Sequence, residues 1–422
     1  MQLLRSIHIL LGLLTSHRAL AEIKNFAIDL EPCRMLQLVS QTHLPAFEEY
    51  PGLGDSLGID LQVLKSLQAE WTTTFDWDAE QADLNRYNHY TTTIEGLTIH
   101  FIHQKSSDAN AIPLILNHGW PGSFMEFLPL IDPLTTASSI SNGTSASNRT
   151  STSFHVVVPS LPGFAFSSAP PANWTLNDTA RVFNTLMTDV LKYDTYAAHG
   201  TDFGSNVAYN LYNNFNESVR AVHLLGIPFL PLSPDEFPKH NITLDADEQF
   251  QENLVLGFSS GYNIEQATKP NTIGLALYDN PVGQLAWMGE KYISYPLYSG
   301  CEAEIFKGSD PQAGTPPSVL THNEILREIS LYFLTKSFVS SVFTYAQNTD
   351  AYGSIFTKAQ TDAPMLFSSF KYSGAFWTEK VVSWVGNLVV YNYHGFGGHF
   401  PGLDNPPALI DDIRQIGNYW TG

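Results

Sequence analysis

A chain of 422 residues with 43% hydrophobic and 13% aromatic content can bury a large core, which excludes a disordered or low-complexity polymer. Twenty-one Lys and Arg against 41 Asp and Glu leave a formal charge of −20. That charge repels nucleic acid and anionic membrane surfaces and favours a neutral or cationic small molecule as partner. The length fits one domain with an insertion and an extension better than two independent domains.

The first segment, residues 1–21, reads as a signal peptide. Arg5 precedes the apolar stretch Ile7 to Leu14, and Ala19-Leu20-Ala21 offers the small residues a signal peptidase accepts, so cleavage is expected before Glu22. The stretch is short for a bilayer and His8 interrupts it, so no membrane span is expected after cleavage. Asn142, Asn148, Asn173, Asn177, Asn216 and Asn241 each begin an Asn-x-Ser/Thr sequon. With the leader they predict a secreted or lumenal glycoprotein. In that compartment Cys33 and Cys301 fit a disulfide and two buried thiols equally well.

Residues 22–90 carry helix signals and aromatics, including Trp71, Phe75 and Trp77, but no strand rhythm. They are expected to form an extension packed on the core. Strands are predicted at Tyr90 to Ile94, Leu97 to His103 and Pro113 to Leu116, the last feeding the tight turn His118-Gly119-Trp120-Pro121-Gly122. Thr135 to Ser153 is rich in Ser, Thr and Asn and predicts a solvated loop. Phe154 to Pro159 is a β-branched strand, Thr179 to Leu191 has helical spacing, and Tyr196 to Ala198 is strand-like ahead of a helix over Ser205 to Asn213. This alternation predicts an α/β fold with a mostly parallel central sheet and helices on both faces. Residues 228–338 are more helical and read as a cap inserted between strands. Ala363 to Phe367 and Gly386 to Tyr391 resume the sheet, and Pro407 to Trp420 closes it with a helix. The core thus comprises 91–227 and 339–422.

Three short motifs carry chemistry. His199-Gly200-Thr201-Asp202-Phe203-Gly204-Ser205 lies between a strand and a helix and has the G-x-nucleophile-x-G layout of a nucleophile elbow. The exposed side chain is the carboxylate of Asp202. A carboxylate nucleophile attacks carbon by displacement and forms an alkyl ester, which suits a strained ring or a good leaving group and disfavours acyl transfer. The turn at His118 to Gly122 is readable as a plain Pro/Gly turn. Placed ahead of an elbow it supplies an oxyanion hole, from the backbone N–H groups of Trp120 and Phe203. His399, in Gly397-Gly398-His399-Phe400 ahead of the last helix, follows the nucleophile in the chain order that an α/β-hydrolase requires and can activate water. Its competitor is His394, which lacks the preceding glycine pair. Nothing in the pattern calls for a metal or other cofactor.

Together these stretches resemble the microsomal-type epoxide hydrolases from about Trp71 to the C-terminus. The resemblance rests on Phe75-Asp76-Trp77, Leu84-Asn85, Ile94-Glu95-Gly96-Leu97, Ile99 to His103, His118 to Ser123 and Pro159 to Phe164. It continues through Lys269-Pro270, Thr272-Ile273-Gly274, Leu285-Ala286-Trp287, Gly289 to Tyr292 and Gly397 to Phe400. It implies an α/β-hydrolase fold, Asp202 as nucleophile and His399 as base. Two cap tyrosines, Tyr262 and Tyr345, would bind and protonate the oxygen of a small-molecule epoxide. Read without the family, either tyrosine is an ordinary core or surface aromatic.

The pattern breaks at one point. Where the family places the carboxylate partner of the histidine, this chain has Ser373, after Phe370-Lys371-Tyr372. Such an acid fixes the imidazole tautomer and stabilises the imidazolium. Glu379, Asp362 and Asp404 are the candidates to replace it. Three functional readings stand: hydrolysis to a vicinal diol, intramolecular epoxide opening by an internal nucleophile to make a ring, and a binding relative with weakened catalysis. Dehalogenation ranks lower, because paired tyrosines suit an oxygen leaving group. A homodimer is one option for assembly.

Overall fold

The computed structural model describes residues 22–54, 57–138, 152–257, 260–294 and 317–421. The expected leader, Asn142, Asn148 and Cys301 lie outside these residues. Cys33 is exposed, at the start of the helix Cys33–Gln41.

Nine strands form one sheet: β1 Lys24–Phe26, β2 His89–Ile94, β3 Leu97–Gln104, β4 Ile112–Asn117, β5 Phe154–Pro159, β6 Tyr196–Gly200, β7 Val219–Leu224, β8 Pro364–Tyr372 and β9 Asn387–Gly398. Their spatial order is β1-β2-β3-β5-β4-β6-β7-β8-β9. From β5 to β9 every neighbouring pair is parallel, and β1, β2 and β3 add an antiparallel flank beyond β5. Strands buried on both faces read as continuous apolar runs, as Ile-Pro-Leu-Ile-Leu in β4 and Phe-His-Val-Val-Val in β5 do. Successive side chains enter opposite cores. Ile115 and Val157 join the cluster under the helix Asp202–Asn214, with Phe203, Val207 and Leu211. Leu114, Leu116, Val156 and Val158 meet Leu130, Ile131, Leu409 and Ile413 from the helices Leu128–Thr135 and Pro406–Arg414. Each fully buried aliphatic side chain contributes roughly 1.5–3 kcal/mol.

The strand order places the site. From β4 the chain moves to β5 on one side and then crosses to β6 on the other, so the loops leaving β4 and β6 diverge above the middle of the sheet. Open α/β sheets bind ligands in the crevice at such a reversal. The turn at His118 follows β4, and Asp202 follows β6.

The N-terminal extension differs from expectation at one place. Residues 22–90 were expected to lack strands, yet β1 pairs with β2 in antiparallel register, Asn25 opposite Tyr90. Three residues, two of them polar and exposed, are too few to display alternation. The remainder of the extension is helical and tied to the helix His322–Thr335. Trp71 Nε1 donates to Ser330 Oγ at 2.9 Å, His322 Nδ1 meets Glu70 at 2.9 Å, and Arg327 reaches Glu80 at 3.3 Å.

Between β7 and β8 lie the helices Ala246–Gly257, Gly261–Thr268, Pro270–Leu277, Pro281–Gln284, Glu290–Ser294, His322–Thr335 and Ser337–Gln347. The last of these packs on the helices Gly261–Thr268 and Pro270–Leu277, and the sheet resumes at Pro364. Among the described residues no helix is long and apolar enough to cross a membrane. The sequon residues Asn173, Asn177, Asn216 and Asn241 are all exposed.

Candidate active site

The helix after β6 begins at Asp202 itself, whose φ of 46° is left-handed, a conformation that costs a non-glycine residue energy. The flanking glycines make the bend sterically possible. A β-carbon on Gly200 would lie 2.6 Å from Ser205 N, and one on Gly204 would lie 2.7 Å from the His118 carbonyl oxygen and closer still to the Asn117 carbonyl. The bend drives the carboxylate off the helix and towards the loop after β4. There the Trp120 amide donates to Asp202 Oδ1 at 2.9 Å. The turn carrying that amide is held from above and below: the phenols of Tyr292 and Tyr332 donate to the Pro121 and Gly122 carbonyls at 3.1 and 2.8 Å, and His118 Nε2 accepts from Leu161 N at 3.1 Å.

His399 follows β9, and its Nε2 lies 3.7 Å from Asp202 Oδ2. Burial lowers the imidazole pKa, against the opposing charge of Asp202. A neutral ring at pH 7 is the state a base requires. His394, the competitor, sits within β9 and turns elsewhere. Its Nε2 is 2.6 Å from Asp412 Oδ2, and its ring stacks on Phe370.

Tyr262 and Tyr345 come together although 83 positions separate them in sequence. Tyr262 stacks on Trp120 with centroids 5.5 Å apart, Tyr345 meets Trp120 edge-on at 5.6 Å, and the two tyrosine rings are 6.0 Å apart. Tyr345 also packs on Phe203 at 4.7 Å. Both tyrosines line a cavity of about 260 Å³ with Asp202, Phe203 and His399. Its wall also includes Ile227, Val255, Ala375 and Trp377, so the space is largely apolar around a few polar groups. Among the described residues no group of three or more His, Cys, Asp or Glu side chains could hold a metal ion.

Ser373 directly follows β8 and lines the same cavity. The three substitute carboxylates have different fates. Asp362 is almost fully solvent-exposed beside Lys358, and Glu379 is exposed at the start of a short helix. Asp404 is buried, and its carboxylate accepts from the Gly398 amide at 3.1 Å and from the Phe400 amide, one on each side of His399. Burial raises its pKa to about 7, opposed by those two N–H groups.

Two residues near Asp202 carry no motif. Glu126 is buried and accepts from Thr201 Oγ1 at 3.2 Å, and burial pushes its pKa well up, aided by the charges of Asp202, Glu328 and Asp404. Its signal was available in sequence, as a lone carboxylate inside the apolar run Phe124 to Ile131. Tyr352 lines the cavity from an irregular loop and gives no sequence signal.

Comparison with known proteins gives the family. Residues 23–127 match the family model described as epoxide hydrolase N terminus, and residues 112–284 match the model of the alpha/beta hydrolase fold. Epoxide hydrolase 1 of Sus scrofa is 32% identical over 401 residues, which are 88% of this chain and 83% of that protein. The solved epoxide hydrolase of Aspergillus niger superposes with a TM-score of 0.75 at 30% identity, covering 94% of this chain and 97% of that one. The juvenile hormone epoxide hydrolase of the silkworm Bombyx mori shares the fold, with a TM-score of 0.74 at 24% identity over 94% of each chain. With an α/β-hydrolase sheet, the matching N-terminal extension and these relatives, the chain belongs to the epoxide hydrolase family.

Proposed function

We propose that this protein opens epoxides through an alkyl ester on Asp202 and hydrolyses that ester to a vicinal diol. The observation that carries the reading is the division of labour on one carboxylate: Oδ1 is bound by the Trp120 amide, and Oδ2 faces the cavity and His399. Oδ2 attacks a ring carbon, the carbon–oxygen bond breaks, and the leaving oxygen takes a proton from Tyr262 or Tyr345. Water then attacks Cγ of the ester while His399 takes its proton. The oxyanion forms on Oδ1, stabilised by the amides of Trp120 and Phe203. Collapse expels the diol oxygen, which is protonated by the imidazolium, and the proton left on the Asp202 carboxyl restores the tyrosinate to a phenol. Asp404, gripping the backbone on both sides of His399, supports the ring's position where Ser373 offers no carboxylate.

A single turnover in ¹⁸O-labelled water tests this. The ester route delivers a diol with no label and leaves one ¹⁸O on the peptide containing Asp202. Label in the diol after one turnover means direct attack by water and refutes the ester. An unlabelled cyclic product with no diol establishes the second reading, intramolecular opening, which Ser373 in the cavity wall favours.

We also infer passage through the secretory pathway, supported by the leader-like residues 1–21 and the exposed sequons at Asn173, Asn177, Asn216 and Asn241. Expression in a eukaryotic host that leaves the full-length protein in the cytosol, with a mass that does not fall on endoglycosidase treatment, would contradict it.

A further inference from the structure

The cavity in front of Asp202 contains a phenol that this reaction does not use. Tyr352 lies on the loop between the helix Ser337–Gln347 and β8, and it lines the cavity with Asp202, Tyr262 and Tyr345. The backbone on both sides of it is fixed. Asn206 Nδ2 donates to the Ala351 carbonyl at 2.8 Å, Gly353 N donates to the Pro228 carbonyl at 3.0 Å, and Leu230 N donates to the Gly353 carbonyl at 2.9 Å. The ring is therefore held in the cavity wall by its own main chain.

The hydroxyl of Tyr352 makes no hydrogen bond among the described residues. Tyr352 is half-buried, and several tyrosines of the interior differ from it. The phenols of Tyr209, Tyr212, Tyr292, Tyr332 and Tyr391 each donate to a backbone carbonyl. Burial, together with the negative charge of Asp202 and the proximity of Tyr262, pushes the Tyr352 phenol up, so it stays protonated and able to donate across the working pH range. A cavity-lining donor with no protein acceptor is left to water or to whatever fills the cavity.

We propose that Tyr352 donates to a second oxygen of the substrate, so that the site is built for epoxides carrying an acceptor oxygen (ether, hydroxyl or carbonyl) a few bonds from the ring. The inference rests on the epoxide-opening reading above. The cavity volume of about 260 Å³ keeps that second oxygen near the ring. Ile227, Val255 and Trp377 surround the rest of the molecule with apolar surface. The division is that of a specificity group: two phenols for the oxygen that leaves and a third for an oxygen that stays.

The test compares two epoxides that differ by one atom, 1,2-epoxyoctane and butyl glycidyl ether, in which an ether oxygen replaces one methylene. Wild-type protein should prefer the ether by about tenfold in kcat/KM, the worth of one neutral hydrogen bond. In Tyr352→Phe that ratio should fall to near one, with the change carried by KM for the ether, and the melting temperature should stay close to that of wild type. A wild-type protein that turns over both epoxides without preference overturns the proposal, whatever the variant does. So does a Tyr352→Phe protein that loses activity on both substrates alike and keeps their ratio, which would place the phenol on the ring oxygen instead. If the wild type opens neither epoxide, the reaction itself is refuted and this assignment falls with it.

Discussion

Adding a single methyl group at Gly119 should stop the first half-reaction. A β-carbon there would lie 2.6 Å from Asp202 Cγ, and Oδ1 and Cβ of Asp202 lie closer still, whereas ordinary contact begins at 3.4 Å. The carboxylate must therefore retreat by about 0.8 Å or more. Asp202 Cβ is carried by the main chain of the elbow, so the elbow itself must shift, and the carboxylate then leaves the Trp120 amide 2.9 Å away. Misplacement of about 1 Å costs about 10²-fold, and loss of one oxyanion donor costs about 10²–10³-fold. Gly204→Ala is the contrasting variant, because its β-carbon meets the main-chain carbonyls of Asn117 and His118, which cannot swing aside. The assay is rapid mixing with excess epoxide, following the intact mass of the protein for the alkylated form, alongside thermal melting. Gly119→Ala should alkylate about 10²–10³-fold more slowly and melt below the wild type, and Gly204→Ala should melt lower still. Wild-type alkylation by Gly119→Ala, or equal destabilisation of both variants, would refute this account of the elbow.

His399→Gln should form the ester but release it slowly, with turnover down roughly 10²–10⁴-fold and the mass of the epoxide retained on the protein; diol release at the wild-type rate would remove His399 from the role of base. His394→Ala should leave turnover close to wild type but cost about 1–3 kcal/mol in denaturant unfolding, because Asp412 loses one partner and keeps Asn392 and Ser368; an inactive but stable variant would reverse the ranking of the two histidines. Glu328 sits buried against Ser123 with its pKa raised to about 8. The native state then holds a proton that the unfolded chain releases above about 4.5, so stability falls as pH rises from about 4.5 to 8, by up to about 1.4 kcal/mol per pH unit for this one group. Glu328→Gln should flatten that slope in urea titrations at pH 5 to 8, and an unchanged slope would mean the carboxyl is ionised in the native state.

The parts of the site legible in sequence are those governed by local backbone geometry. A strand that ends in Gly-x-Asp-x-Gly, and another that ends in His-Gly-Trp-Pro-Gly, announce themselves because the bends demand particular residues. The sheet was legible for a similar reason: β4 and β5 are apolar runs bounded by turns. Features that depend on distant packing left no trace. β1 is a strand only because β2 offers it an edge. β9 runs on through His394 to Gly398, past the expected end at Tyr391, because β8 beside it continues to Tyr372. Tyr352 gains meaning from Asn206 and Pro228, more than a hundred positions earlier. The substitute for the acid missing at Ser373 could not be chosen among Glu379, Asp362 and Asp404 from sequence, because burial separates them and sequence distance does not.

The strand order gives the two halves of the site different mechanical footings. The loops bearing Trp120 and Asp202 leave adjacent strands, whose separation is fixed near 4.8 Å by main-chain hydrogen bonding. His399 arrives from β9, with β7 and β8 intervening, so its approach accumulates the twist of several strand pairs and depends on side-chain tethers such as Asp404. Bond-making at Asp202 therefore stands on firmly paired strands, while the histidine hangs from an adjustable arm. Mutations at the distal edge of the sheet can retune the lifetime of the intermediate without touching the rate at which it forms.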